Sequence, residues 1–228
     1  TALSICQNTP NLRSSAMEQK PETGGVPVHP EPIAPGVAKF VSTEHEEEYR
    51  AYSSAADVQR GRLILLILVP PMLLFAMSDY QLFGHSPMFY ALIGARVAYI
   101  AYALAVVASI REHSSPARRD LAYTVWLFAT IALGVMVNLS RPAAYTGHVV
   151  IDVLMLLLVC LATPVPFSMV VVGAGLFTLA EFGVLFFARI APHPVAPAFW
   201  IGALLHANLI GLWGANRIHR TSRQRFDA

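Results

Sequence analysis

Six long apolar stretches are the feature that most constrains this chain. They cover residues 62–82, 88–110, 120–140, 148–164, 168–188 and 198–217. Each is close to the ~20 residues that a helix needs to cross the ~30 Å hydrocarbon core of a bilayer, and the fourth is the shortest. Only 13% of the residues are charged, about half the share in a soluble domain. The sequence therefore predicts an all-α, polytopic membrane protein built as a six-helix bundle.

The remaining residues flank this bundle. Residues 1–42 are polar and rich in proline, and such a segment buries too little surface to offset its ordering entropy. We therefore predict a disordered tail. Residues 43–217 are predicted to form the membrane domain with its entry helix, which starts at Thr43 and an acidic first turn. Residues 218–228 are predicted to begin a cytoplasmic exit helix.

Arginines predict the orientation, because positive side chains collect on the cytoplasmic side of a membrane. If the N-terminus lies on the cytoplasmic side, only two arginines, Arg141 and Arg189, fall on the outer side. Both termini are therefore predicted to be cytoplasmic, in a bacterial inner membrane. The ten arginines assigned to the cytoplasmic side are Arg50, Arg60, Arg62, Arg111, Arg118, Arg119, Arg217, Arg220, Arg223 and Arg225.

The net charge, the cysteines and the absence of catalytic motifs give no support for a nucleic-acid-binding protein, a disulfide or zinc protein, or an enzyme of a known motif class. The formal net charge of +2 gives no reason to expect nucleic acid as a partner. Cys6 lies in the polar tail and Cys160 in an apolar run, so neither has a partner or a metal-ligand spacing. Since no phosphate-binding glycine loop, nucleophile–base pair or HExxH motif occurs, no catalytic residue is assigned.

Polar residues inside the spans are the candidates for function. A charge in hydrocarbon costs at least ~2.5–3.5 kcal/mol, so these side chains should face one another or water. They all fall in the outer half of the predicted bundle. One interpretation is that the carboxylates pair with the arginines and only set helix register. The other is a pocket for a cation, a metal or a small polar ligand, lined by Asp79, Arg96, Arg141, His148, Asp152, Glu181, His206 and Asn208.

Two narrower hypotheses concern parts of the spans. A divalent cation is the one cofactor considered, because a His/carboxylate set binds zinc, iron or copper; the candidate ligands are His148, Asp152, Glu181 and His206. Small residues repeat every four positions in the sixth span, and such a stripe lets another helix approach closely. This stripe serves either bundle packing or a homodimer interface, and it consists of Ala203, Ala207, Gly211 and Ala215.

Several segments resemble a known family. They are "EEEYRAYSSAADVQRGRLILL" before and into the first span, "GARVAYI" in the second, "IDVLMLLLVCLATPVPFSM" across the fourth and fifth, and the ending "ANLIGLWGANRIHRTSRQRF". Together with Asp79 they resemble the six-helix membrane domains at the N-termini of bacterial class III adenylate cyclases and GGDEF-type diguanylate cyclases. The resemblance covers residues 45–228.

The resemblance implies a membrane-anchoring and sensory domain of a cyclic-nucleotide cyclase. An outer-side signal would pass through span six to a cytoplasmic output domain, with Asn208, Gly211 and residues 217–226 as the exit. It also implies a homodimer, because the family builds its active sites between two chains. No cyclase or GGDEF domain is present in these 228 residues, so we expect the chain to be either part of a longer protein or a free-standing relative.

Two alternatives remain open. The same polar residues would suit a small membrane transporter or an intramembrane metal-binding protein or enzyme. The third interpretation is an accessory subunit of a membrane complex, which needs only an apolar contact surface.

Overall fold

Helices account for nearly all of the described chain. The computed structural model describes residues 32–34, 38–142, 147–188 and 197–228. In these ranges the predicted all-α class is confirmed. A π-helical turn, Val184–Ala188, directly follows α5. The six α-helices are α1 (Thr43–Phe83), α2 (Pro87–Ser109), α3 (Pro116–Ser140), α4 (Gly147–Ala162), α5 (Phe167–Gly183) and α6 (Pro197–Asp227).

Local sequence signals explain where the first three helices begin. The side chains of Ser42, Ser86 and Ser115 each accept a hydrogen bond from the backbone N–H three residues ahead. This contact satisfies one of the donors that every helix leaves exposed in its first turn. Proline at the first position of α2 and of α3 has no N–H to leave unsatisfied. The helix α1 ends at Phe83 and is followed by Gly84, whose φ of 53° suits glycine.

The described helices identify a helical membrane protein. Five of them (α1, α2, α3, α5 with its π-helical turn, and α6) are long and apolar enough to cross a membrane. The sixth, α4, has 16 residues and is therefore about 24 Å long. That length is below the ~30 Å of a hydrocarbon core. A sixth crossing through α4 therefore stays a prediction.

Packing between helices follows their order and their small residues. The loops that join α1 to α2 and α4 to α5 are short, so these neighbours run antiparallel. Large side chains fill the interior, whereas many leucines point outward, as expected for a surface that contacts lipid. The largest fully buried side chains include Trp126, Trp200, Tyr123, Phe177, Leu65 and Leu92.

The small-residue stripe of α6 packs within the chain. Ala207 and Ala215 are buried. A Cβ added at Gly211 would lie 2.9 Å from the Cβ and Sγ of Cys160 on α4. Only glycine therefore allows α6 to approach α4 this closely. Bundle packing thus explains the stripe, and the expectation that it forms a homodimer interface is not supported by this arrangement.

Residues just before α1 also belong to the fold. Strand β1 (Ile33–Ala34) pairs antiparallel with β2 (Lys39–Phe40), and Phe40 is buried against α1 and α6. The sequence predicted disorder as far as residue 42, and that prediction is wrong for these strands because Phe40 supplies an apolar contact. The rest of the predicted tail, residues 1–31 and 35–37, lies outside the described residues. We call the end where α1 begins and α6 ends the basal end.

Candidate functional site: a buried polar layer

Six polar side chains meet at the end of the bundle opposite the basal end. They come from five helices and none is more than 6% exposed. We call this group the polar layer; it consists of Asp79 on α1, Arg96 on α2, Asn138 on α3, Arg141 at the end of α3, Asp152 on α4 and Glu181 on α5. Burying so many polar groups is costly, so their contacts decide what the layer can do.

Asp79 holds the first half of the layer together. Its carboxylate is completely buried. Arg96 Nε donates to Asp79 Oδ2 at 2.8 Å, and Arg141 Nη2 donates to Asp79 Oδ1. Both guanidinium groups also lie over aromatic rings, that of Arg96 over Phe75 and that of Arg141 over Phe83. One carboxylate therefore joins α1, α2 and the end of α3.

Asn138 holds the second half of the polar layer together by joining α3 to α4 and α5. Its amide nitrogen donates to Asp152 Oδ1 at 2.7 Å and to Glu181 Oε1 at 2.9 Å. A side-chain amide has two N–H donors, so both are used on carboxylates. Asn138 was not among the site residues predicted from the sequence. A signal was present, because this amide interrupts the apolar run 131–139 one turn before Arg141, on the same helix face.

A small cavity lies against the polar layer. It measures about 60 Å³, and its lining includes Arg96, Tyr99, Thr130, Asn138 and Asp152. Since one water needs roughly 15 Å³ on this measure, about four waters or a small ligand fit. Arg96 Nη2 is buried and has no hydrogen-bond partner among the described residues. This donor can bind a small polar ligand that carries an acceptor oxygen.

His206 does not belong to the polar layer. Its side chain is exposed, and Nδ1 contacts the carbonyl oxygen of Gly202 on the same helix at 2.7 Å. The prediction that His206 points into the bundle is therefore wrong. The reason is the register of α6: Ala207 and Gly211 face α4, so the neighbouring position 206 turns outward.

Asn208 is the residue through which α6 contacts this region. Its Nδ2 donates to Thr178 Oγ1 on α5 at 2.5 Å and to the Leu204 carbonyl at 3.0 Å. Thr178 lies one helical turn before Glu181 on the same face of α5. The contact therefore fixes α6 beside the polar layer without entering it.

The predicted metal set is not assembled by the described residues. Asp152 and Glu181 share Asn138, but His206 faces outward, and the side chain of His148 lies outside the described part. Among the described residues no group of three His, Cys, Asp or Glu side chains could hold a metal ion. The described part of the chain thus offers no metal centre built from these four positions.

A second set of buried ionic contacts, which was not predicted from the sequence, lies at the basal end. Arg223 on α6 donates to both carboxylate oxygens of Glu46 on α1, from Nη2 at 2.7 Å and from Nε at 3.0 Å. The backbone N–H of Phe40 donates to Glu46 at 3.1 Å, and Tyr49 lies under the Arg223 guanidinium. We call this arrangement, Glu46 with Arg223, the basal clamp.

Charges around the basal clamp shift two pKa values in segments that lie beyond the predicted spans. Burial alone would raise the pKa of Glu46, but hydrogen bonds from Arg223 and Phe40 outweigh it and lower the pKa. A hydrogen bond to Asp227 raises the pKa of His45. Both interactions tie the first turns of α1 to the last turns of α6.

Comparisons with known proteins add no relative. No protein-family model, curated protein or solved structure matches this chain. The class that the fold and site define is therefore a helical membrane protein with a buried polar layer at one end and an ionic clamp between α1 and α6 at the other.

Proposed function

We propose that this chain is a membrane-embedded signal-input domain. The observation that carries the proposal is the pair of contacts made by α6: Asn208 binds α5 beside Glu181, and Arg223 binds Glu46 on α1. The helix between these contacts is continuous from Pro197 to Asp227. A change in the polar layer can therefore reach the basal end through one rigid element.

Orientation rests on the arginines. The basal end holds the arginines of the first turns of α1, of the α2–α3 loop and of the end of α6, and this excess favours a cytoplasmic basal end. Arg141, one of the two arginines assigned to the outer side, is buried on Asp79. In the proposed orientation the polar layer lies in the outer half of a bacterial inner membrane, and both helix ends at the basal clamp lie in the cytoplasm.

The proposed mechanism is a small shift or rotation of α6. Its 31 residues extend over about 46 Å, enough to reach from the polar layer beyond the inner face of the membrane. A small polar ligand in the cavity biases the bundle only by its differential affinity for two helix arrangements. Because Arg223 is bound to Glu46, the first turns of α1 move with α6. The helices α1 and α6 therefore carry the signal together, as a pair.

The output is proposed from the resemblance to cyclase membrane domains. In that interpretation the end of α6 continues toward an adenylate or diguanylate cyclase, and two chains associate. The stripe that contains Gly211 is occupied by α4, so a second copy would have to use another face of the bundle.

A fusion tests this proposal. The full chain, including Phe40 and Glu46, is joined through the end of α6 to a cyclase output domain. We expect Glu181→Gln, which alters the polar layer, to change cyclase output several-fold, while the exposed Glu47→Gln leaves output as in wild type. We also expect Glu46→Gln, which weakens the basal clamp, to remove the response to Glu181→Gln. The effect of Glu181→Gln is therefore measured with and without Glu46→Gln. Equal output from wild type and Glu181→Gln, at equal expression, would reduce the domain to an anchor.

A further inference from the structure

A second cavity lies at the basal end, away from the polar layer. It measures about 450 Å³, within the range of small-molecule sites. Its walls come from the first turns of α1, the start of α3, the α4–α5 connection and the last turns of α6. The signal-input role uses Arg223 in this wall but not the space itself, and the inference drawn from the space shares with that role only the proposed cytoplasmic position of the basal end.

Positive charge dominates the wall of this cavity. Arg50, Arg60, Arg119, Arg223 and Arg225 line it together with Asp57 and Asp120. Counting Glu46, which is bound to Arg223, there are five arginines against three carboxylates. His219 adds no charge at neutral pH, because burial lowers its pKa to about 4. The cavity therefore favours an anion.

Three of these arginines are occupied. Arg223 holds Glu46, Arg50 donates to Asp120 at 2.7 Å, and Arg119 donates to Ser54 at 2.6 Å. Arg60 and Arg225 are exposed, and neither has an ion pair or a hydrogen bond among the described residues. Two guanidinium groups, one from α1 and one from α6, are thus available at the cavity.

The rim of the cavity is partly apolar. Leu161 and Ile218 line it and are 40% and 37% exposed. Both lie near the predicted inner limits of their spans, at the level where lipid headgroups meet acyl chains. A polar, positively charged interior beside an apolar rim suits an amphipathic anion.

We propose that this cavity binds the phosphate group of a ligand, with Arg60 or Arg225 as its principal contact. Guanidinium groups match the planar, paired oxygens of phosphate better than a single ammonium does. Basic pockets between helices on the cytoplasmic side of membrane proteins suit phospholipid headgroups in particular. A soluble phosphate compound presents the same chemistry, and the experiment separates the two sources.

The lipid arm uses the detergent-purified full chain and native mass spectrometry. Phosphatidylglycerol and phosphatidylcholine with the same acyl chains are titrated separately. We expect phosphatidylglycerol to bind more tightly. The double variant Arg60→Gln/Arg225→Gln should weaken that binding about tenfold or more, since each arginine–phosphate contact is worth about tenfold. Arg111→Gln/Arg118→Gln removes the same charge from exposed arginines outside the cavity and should bind as wild type.

The soluble arm titrates inorganic phosphate and follows thermal stability. Stabilisation by phosphate that depends on Arg60 and Arg225, without a preference for phosphatidylglycerol, supports the site with a soluble ligand. Arg60→Lys/Arg225→Lys should retain part of the binding in either arm, because the charge is kept and only the paired geometry is lost. The proposal is overturned if neither probe distinguishes the cavity variant from the Arg111/Arg118 control.

Discussion

At the residue scale, Asp79 determines whether the polar layer can exist in a membrane. Two guanidinium groups share its buried carboxylate. Removing one partner of a buried ion pair leaves the other charge without compensation, which costs far more than the intact pair contributes. The partly exposed pair of Arg50 with Asp120 at the basal end differs, because water can replace either partner.

The first prediction compares these two ion pairs. Asp79→Asn should lower the free energy of unfolding by about 3–5 kcal/mol, since two buried arginines lose the carboxylate that they share. Asp120→Asn should cost less than about 1 kcal/mol. Thermal or denaturant unfolding of the purified protein measures both. Similar small losses in the two variants would mean that Asp79 does not hold the layer together.

The second prediction concerns pH at the ends of α1 and α6. The hydrogen bond to Asp227 raises the pKa of His45 above 6.5, so the folded state holds this proton more tightly than the unfolded state. Its stabilising contribution is complete below pH 6.5 and is lost as pH rises through the folded-state pKa. We therefore expect His45→Gln to remove part of the decline in stability on the alkaline side. Unfolding midpoints of wild type and variant, measured between about pH 6 and pH 9, test this. Parallel curves for the two proteins would contradict it.

At the element scale, the position of α6 depends on its contact with α4. The buried stripe of α6 lies directly on α4 at Cys160, whereas a Cβ at Gly202 would meet nothing within 4 Å. The two glycines lie on one helix but in opposite environments, so they form a matched pair for substitution.

The third prediction uses that pair. Gly211→Ala should destabilise the folded chain by about 1–3 kcal/mol, because the added methyl group overpacks the contact with Cys160. Gly202→Ala should be neutral or slightly stabilising, since alanine is the better helix former. Unfolding experiments give the stability, and cross-linking in membranes gives the association state. If Gly211→Ala leaves stability unchanged and alters association instead, the stripe contacts a second copy.

At the scale of the whole molecule, the start of α1 and the end of α6 meet at the basal end. The bond between Glu46 and Arg223 places the start of α1 and the end of α6 on one side of the bundle. Together with the arginine distribution, this arrangement predicts the side of the membrane on which each loop lies.

The fourth prediction tests that orientation with two exposed histidines in loops. His85 lies between α1 and α2, and His113 lies between α2 and α3. Single cysteines introduced at these positions should differ in their reaction with a membrane-impermeant maleimide. His85→Cys should react in intact cells and His113→Cys should react only after permeabilisation. The reverse pattern would place the basal end outside.

Hydropathy was sufficient to predict most of the helices. The predicted second span, 88–110, corresponds to α2 at Pro87–Ser109, and the shortest predicted span corresponds to the short α4. Burial of the polar groups Arg96, Asp152 and Glu181 followed from the cost of charge in hydrocarbon.

Rotation of a helix about its axis was harder to predict. The small-residue stripe was visible in the sequence, but nothing in it indicated whether α4 or another chain would cover it. Whether His206 points into the bundle or away from it depends on which of these partners the stripe faces. The basal clamp was missed because Glu46 and Arg223 are 177 positions apart. Each residue also had a local explanation, Glu46 as an acid in the first turn of a helix and Arg223 as one of the arginines that mark the cytoplasmic side.

The distance between His113 and Gln224, measured by pulsed electron paramagnetic resonance, tests the central claim most directly. Spin labels at these two exposed positions report how the end of α6 lies relative to the α2–α3 loop, with Cys6 and Cys160 changed to alanine. If the polar layer controls the helix pair of α1 and α6, Glu181→Gln will change the distance distribution, whereas Glu47→Gln will leave it as in wild type. Identical distributions for wild type and Glu181→Gln would contradict the account, because the two ends of α6 would then be uncoupled.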